Sequence, residues 1–271
     1  MKNLRKYGKP PFRVAVIHGG PGAAGEMQPV ARELASNWGI LEPLQSEITI
    51  KGQVEELKSI LGENGDPPII LMGFSWGAWL SFIFSAEYPS FVKKLILVAS
   101  GPFEEKYALA IQKTRLERLN KTDREEAESL IGFLDELTAE DRSKIFRRFG
   151  ELFSKADAYD PLPQKSESVD LRADIFQSVL KEAEELRRSG QLLKLGKNIK
   201  CPVVAIHGDY DPHPAEGVRR PLSSVLKNFR FIQLKNCGHK PWIERKAKER
   251  FFRILREELV QLKSQIYRLN Q

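Results

Sequence analysis

Cysteine is nearly absent from this chain. Cys201 and Cys237 stand alone, too few for a disulfide framework or for a zinc site of the paired-cysteine kind. Cys201 opens one predicted strand and Cys237 follows the next, so in a parallel sheet they lie at opposite ends. A strand length of roughly 17–20 Å then separates them, beyond the ~7 Å that a disulfide tolerates between Cα atoms, and both should be free thiols. Long apolar runs are missing as well. No uninterrupted stretch approaches the ~20 residues that cross a bilayer, and the basic segment Met1–Lys9 leads into no signal-peptide core. A soluble, cytoplasmic protein with no membrane partner is expected. Histidine occurs four times in 271 residues with no clear ligand spacing, so no metal and no cofactor is expected. No internal repeat or low-complexity tract interrupts the chain.

Basic residues exceed acidic ones by 43 to 36, and the excess is local. Residues 217–271 hold fourteen Lys and Arg against four Glu, a net +10 within a total of +7, so the remainder is slightly acidic. Much of that tail reads as an amphipathic helix, with Ala247, Phe251, Ile254, Leu255, Leu259, Leu262 and Ile266 at three- and four-residue spacing. Its basic residues then form a solvated face, and with no aromatic-interleaved motif beside them no nucleic-acid partner is expected. At 41% hydrophobic, the chain suffices for one large core with an insertion.

Phe12–His18 is a β-rich run that stops at Gly19-Gly20-Pro21-Gly22, a turn cluster that no helix crosses. A helix is predicted over Glu26 to Asn37, a brief strand over Gly39–Glu42, a helix over Val54 to Leu61 and a strand over Pro68 to Met72. The helix Trp76 to Glu87, stopped by Tyr88-Pro89, and the apolar strand Leu95–Ala99 follow. This alternation predicts an α/β architecture, a doubly wound, mainly parallel sheet with helices on both faces. At Gly101-Pro102 the rhythm breaks. Until about Gly196 no convincing strand appears, only helical segments of mixed charge around the loop Tyr159–Pro163, with capping-box starts at Thr122-x-x-Glu125 and Thr138-x-x-Asp141. The alternation resumes with Cys201–His207, a helix near Ala215–Leu226, the strand Phe229–Leu234 and the terminal helix. About six parallel strands beginning near Arg13 are expected, with residues 1–101 and 197–271 as the core and 102–196 as an all-helical insertion over the C-terminal strand ends.

The insertion aside, the chemistry concentrates at strand ends. Ile69–Met72 runs into Gly73-Phe74-Ser75-Trp76-Gly77 and then straight into helical sequence. A buried strand turning sharply into a helix needs glycines where the two backbones crowd, and such a turn lifts a serine hydroxyl above the strand end. A serine becomes a competent nucleophile only when a base takes its proton and a carboxylate orients that base. Loops at the same sheet edge supply both types. Gly208-Asp209-Tyr210-Asp211-Pro212-His213-Pro214 follows the strand ending at His207, and Lys235-Asn236-Cys237-Gly238-His239-Lys240 follows the one ending at Leu234. His207 reads as a packed or hydrogen-bonded residue, and His213, between prolines, as a rim residue.

The chain order Ser, Asp, His resembles the α/β-hydrolase fold, whose triad follows that order. The resemblance covers the whole chain, since the family commonly carries a helical cap where 102–196 is inserted. It implies Ser75 as nucleophile, Asp211 as the acid in Gly-x-x-Asp and His239 as the base in Gly-His. Asp209 is the rival acid, with Asp211 favoured on its spacing from Gly208. His18-Gly19-Gly20-Pro21-Gly22 is similar to the family's oxyanion loop, implying the backbone N–H groups of Gly20 and Trp76 as the oxyanion hole.

With Gly-x-Ser-Trp-Gly, that loop resembles more narrowly the proline iminopeptidases and their relatives. Two features depart from them. The segment Pro43-Leu-Gln-Ser-Glu lacks their Gly-rich pattern, and with only about a dozen residues ahead of the first strand the family's N-terminal hairpin is expected to be truncated or absent. The resemblance implies a serine hydrolase acting on a small-molecule or short-peptide substrate, with the bond cleaved left open between small esters, amides or peptides and activated carbon–carbon bonds, and a monomer or homodimer is expected. The alternative is a low-turnover or non-catalytic ligand-binding or receptor protein on the same fold. Specificity is expected in the cap, where Phe103, Tyr107, Phe133, Phe146, Phe149, Phe153 and Tyr159 are candidates for its inner face.

Overall fold

A computed structural model describes residues 3–133, 139–163 and 170–269. The chain enters through β1 (Leu4–Tyr7), β2 (Phe12–Ile17) and the two-residue β3 (Ala23–Ala24). It then alternates α1 (Gln28–Leu34), β4 (Gly39–Pro43), α2 (Ile50–Asn64), β5 (Ile69–Phe74), α3 (Trp76–Glu87) and β6 (Val92–Val98). Beyond β6 come α4 (Ile111–Arg118), α5 (Lys121–Phe133), α6 (Ala139–Asp157), the two-residue β7 (Asp170–Leu171), α7 (Ala173–Arg188) and α8 (Gln191–Lys194). β8 (Val203–Gly208), α9 (Glu216–Val225), β9 (Phe229–Leu234) and α10 (Lys248–Leu269) complete it.

Apolar side chains alternate along the central strands, and that period of two builds a separate core on each face of one sheet. Ala15, Ile17, Leu71, Leu95, Leu97 and Ala205 face α2, α3, α7, α8 and α9. Val14, Val16, Met72, Ile96, Val98 and Ile206 face α1 and α10. On α10 the expected stripe is buried through Phe251, Ile254, Leu255 and Leu259, with Ala247 just ahead of the helix. The side chains of Leu262 and Ile266 lie outside the described residues. Much of the tail's charge meets acids from elsewhere: Arg256 pairs with Glu33, Arg245 with Asp160, Lys235 with Asp209, and Arg219 and Arg220 with Glu216.

The strand order is β1-β4-β2-β5-β6-β8-β9. The six expected parallel strands are present, beginning at Phe12. A seventh was not expected: β1 runs antiparallel along β4. It lies outside β4 rather than against β2, so it forms no hairpin with β2. Its Leu-Arg-Lys-Tyr sequence is short and charged, which suits an edge strand that must not recruit another chain. The edge is pinned from below, because Tyr7 Oη donates to the buried Glu42 carboxylate at 2.6 Å.

Among the described residues between β6 and β8 the elements are helical apart from β7, which corrects the all-helical expectation. β7 pairs antiparallel with β3, tying this region to the glycine-rich segment after β2. A second correction concerns α5. Its N-terminal bonds come from Asn120 rather than Thr122: Asp123 N–H donates to Asn120 Oδ1 at 2.9 Å, and Asn120 Nδ2 donates back to Asp123 Oδ2 at 2.9 Å. Thr138 lies outside the described residues. Both cysteines are free, and burial pushes the Cys201 thiol up to about 11 and raises that of Cys237. No helix among the described residues is long and apolar enough to cross a membrane.

Candidate active site

Strand β5 carries the chain to Ser75, which adopts φ 51° and ψ −114° before α3 begins at Trp76. A non-glycine residue there costs on the order of 1–3 kcal/mol, and the surroundings enforce it. Ser75 N–H donates to Val98 O of β6 at 3.0 Å. A Cβ on Gly73 would sit 2.1 Å from Gly77 O, and one on Gly77 would sit 2.4 Å from both His18 O and Ile17 O. Strand, helix and the loop after β2 thus meet with no room for a side chain.

The ends of β8 and β9 bring Asp211 and His239 together. The Asp211 side chain is fully enclosed, and its Oδ2 accepts from His239 Nδ1 at 2.8 Å. The His239 ring lies 4.8 Å, centroid to centroid, from Phe74, the residue before Ser75, and Phe74 meets Trp242 edge-on at 4.7 Å. Burial alone would raise the Asp211 carboxyl, but His239, His207 and His213 around it hold it well below the usual range. Asp209 points elsewhere: its Oδ1 accepts from Cys237 N–H at 3.2 Å and its Oδ2 pairs with Lys235 at 3.6 Å. His207 is enclosed, as expected, with Nε2 on His213 O at 2.8 Å. His213 is no rim residue. Its Nδ1 and its backbone N–H both donate to Asp211 Oδ1 at 2.9 Å.

Gly20 lies in the loop after β2, and Trp76 directly follows Ser75. Trp76 is the first residue of α3, and N–H groups of a helix's first turn have no intrahelical acceptor. Gly20 is half-buried at φ 22° in the tight turn closed by Ala23 N–H on Gly20 O at 2.8 Å. Phe176 of α7 comes within 4.0 Å of the position a Gly20 Cβ would take. Beside this loop Glu26 pairs with Lys240, the neighbour of His239, at 2.7 Å. Burial would raise the Glu26 carboxyl, but Lys240 outweighs it and holds it below its usual range.

Residues 42–246 match the model of the alpha/beta hydrolase fold family. The chain belongs to the α/β-hydrolase fold family. No curated protein matches it. Among solved structures it is similar to VinJ, with 17% identity, 96% of this chain and 94% of that chain covered, and a TM-score of 0.69. It is also similar to a monoacylglycerol lipase from Paleococcus ferrophilus, at 17% identity, coverage of 95% and 98% and a TM-score of 0.60. A proline iminopeptidase from Mycobacterium smegmatis aligns at 16% identity, with coverage of 95% and 94% and a TM-score of 0.60.

In this α/β-hydrolase the loop bearing His239 is fastened to the chain that leaves α6. His239 N–H donates to Asp157 O at 2.8 Å. Glu244, with no exposed surface, accepts Gly238 N–H at 2.9 Å and Tyr159 N–H at 2.8 Å on Oε1, and Asp160 N–H at 2.8 Å on Oε2. Arg115 closes the arrangement with two 2.7 Å bonds to the Asp157 carboxylate. Glu244 carries no local motif and escapes a sequence reading. His213 had a usable signal, since an Asp side chain commonly bonds the N–H two residues on, and that turn brings the ring of 213 to the same carboxylate.

The aromatic residues of 102–196 mostly pack the fold. Phe103 is fully buried between Phe82 and Trp79, Phe149 packs on Phe153 beneath Arg115, and Tyr107 lies on Gly217. Tyr159 meets Tyr210 edge-on at 5.3 Å. The side chains of Phe133 and Phe146 lie outside the described residues.

Proposed function

We propose that this chain is a serine hydrolase that cleaves a small ester, an amide or a short peptide through an acyl-enzyme. The observation that carries this reading is the 2.8 Å hydrogen bond from His239 Nδ1 to the enclosed Asp211, next to the strained turn that presents Ser75. Ser75 Oγ attacks the substrate carbonyl while His239 accepts its proton. Asp211 keeps the remaining proton on Nδ1 and stabilises the imidazolium. The oxyanion forms against the N–H groups of Gly20 and Trp76, where each donor is worth about 3 kcal/mol of barrier, and the N-terminus of α3 adds its positive end. His239 then protonates the leaving group, and water releases the acyl group by the same steps in reverse.

We take residues 1–101 and 197–271 as the core that holds this machinery and 102–196 as the cap that selects the substrate. The lipase and iminopeptidase among its structural neighbours set the two substrate classes to try first. Two unpaired thiols suit a reducing, cytoplasmic setting. The test is turnover of p-nitrophenyl acyl esters of graded length and of aminoacyl naphthylamides, by the native chain and by Ser75→Ala. Turnover of at least one class, falling by about 10³ or more in the variant, is the expected result. A folded native protein that turns over neither class contradicts the proposal and favours the ligand-binding alternative.

A further inference from the structure

A triad acid needs one imidazole, and Asp211 has three around it. A carboxylate offers two oxygens and about four lone-pair sites. Oδ1 of Asp211 takes two donors, the His213 backbone N–H and His213 Nδ1–H, each at 2.9 Å. Oδ2 takes His239 Nδ1–H at 2.8 Å. The third imidazole stays outside hydrogen-bond reach, with His207 Nε2 3.6 Å from Oδ2, because its N–H is directed to His213 O at 2.8 Å. The two bonded rings lie against each other, centroids 4.6 Å apart and planes 32° apart.

We propose that His213 is a positioning residue for the triad: its ring N–H fills Oδ1 of Asp211 and leaves Oδ2 to His239, while its face backs the His239 ring. The inference rests on the serine-hydrolase reading above. With Oδ1 occupied twice, the carboxylate cannot swing without breaking two hydrogen bonds, so the direction of the His239 bond is fixed. The donors on Oδ1 also draw negative charge away from Oδ2. Removing those donors would leave more negative charge facing the His239 imidazolium.

This role needs His213 neutral, because a second cation against His239 would oppose imidazolium formation. Burial pushes His213 down to about 4 against the pull of Asp211, helped by His239 and by Arg115 of α4. The charged groups around His239 are Asp211 and the Glu26–Lys240 pair.

Two variants separate positioning from packing. His213→Asn keeps an N–H donor close to the place of Nδ1, and His213→Phe keeps the ring without the donor. For each, kcat and KM are measured against pH on a substrate of the native chain, with active sites counted by a fluorophosphonate so that only folded protein contributes. In His213→Phe the acid limb of kcat/KM should move up by about half a pH unit or more, and kcat should fall at least about tenfold with KM little changed. His213→Asn should restore the limb. If the Phe variant does not fold, His213→Ala is the donor-free comparison. An unmoved acid limb in the donor-free variant, or identical profiles for it and the Asn variant, would overturn the assignment. A native chain that reacts with substrate and phosphonate at Ser75 while the limb stays put sinks only this inference. A native chain unlabelled at Ser75 sinks the hydrolase reading itself.

Discussion

Asp211 and Asp209 stand two residues apart on one loop and meet different worlds. The first has no exposed side-chain surface, whereas the second keeps 26% of its side-chain surface in solvent beside Lys235. Asp211→Asn should therefore cost about 10⁴ in kcat, because His239 would lose the acceptor that fixes its tautomer. Asp209→Asn should stay within about threefold of the native rate, since a lone exposed ion pair contributes little. Kinetics on the two variants decide the assignment, and the reverse ranking would transfer the acid role to Asp209.

The same cluster sets an acid limit on stability. His213 titrates at about 4 when folded, against 6.5 as a free side chain, so between those values the unfolded chain binds a proton that the folded chain refuses. Its contribution is complete above pH 6.5 and is lost as pH falls toward 4. Thermal melts should show the midpoint dropping across that window, by less in His213→Asn. The placement of Ser75, Asp211 and His239 at strand ends was legible in the sequence because each sits in a short motif after a predicted strand. The part of His213 was missed, because the flanking prolines suggest an exposed rim and outweighed the Asp-to-N–H turn that carries its ring to the acid.

Elements were legible where burial imposes a period. Trp76–Glu87 and Phe229–Leu234 are found at the boundaries expected, the other core strands lie within a few residues of theirs, and the amphipathic pattern located α10. β1 was not, because an edge strand with half-exposed Leu4, Arg5 and Tyr7 shows no alternation to read. β7 escaped because two residues carry no pattern at all. The elbow should tolerate nothing larger than glycine at 77. Gly77→Ala must displace the His18 and Ile17 carbonyls, each 2.4 Å from the new carbon, and should cost about 3 kcal/mol or more in denaturant melts. Glu244→Ala tests how the base-bearing loop is held. It strands the N–H groups of Gly238, Tyr159 and Asp160, and should lower stability by about 3 kcal/mol. It should also reduce kcat in the protein that remains folded. Wild-type stability in Gly77→Ala would mean that the elbow has room for a side chain, and in Glu244→Ala that its carboxylate does not hold the loop.

At the scale of the whole molecule, all four loops that matter leave the same edge of the sheet, after β2, β5, β8 and β9, which is where parallel strands deliver their C-terminal ends. Among the described residues, the region between β6 and β8 reaches that edge through β7 on β3, Phe176 at Gly20, Arg118 on Tyr210 O, and the 157–162 segment on the loop of His239 and on Glu244. Charge follows the same economy of place. Lys94 of β6 and Arg230 of β9 both pair with the buried Glu258 of α10, so this buried acid is met by cations from two strands of the sheet. On the proposed reading, one serine among the chain's many is activated by this arrangement. Incubation of the native chain with a fluorophosphonate, followed by peptide mass spectrometry, tests it most directly. Stoichiometric modification at Ser75 alone, abolished by His239→Ala, is the expected result; modification at another residue, or labelling of Ser75 at the same rate without His239, would overturn the triad.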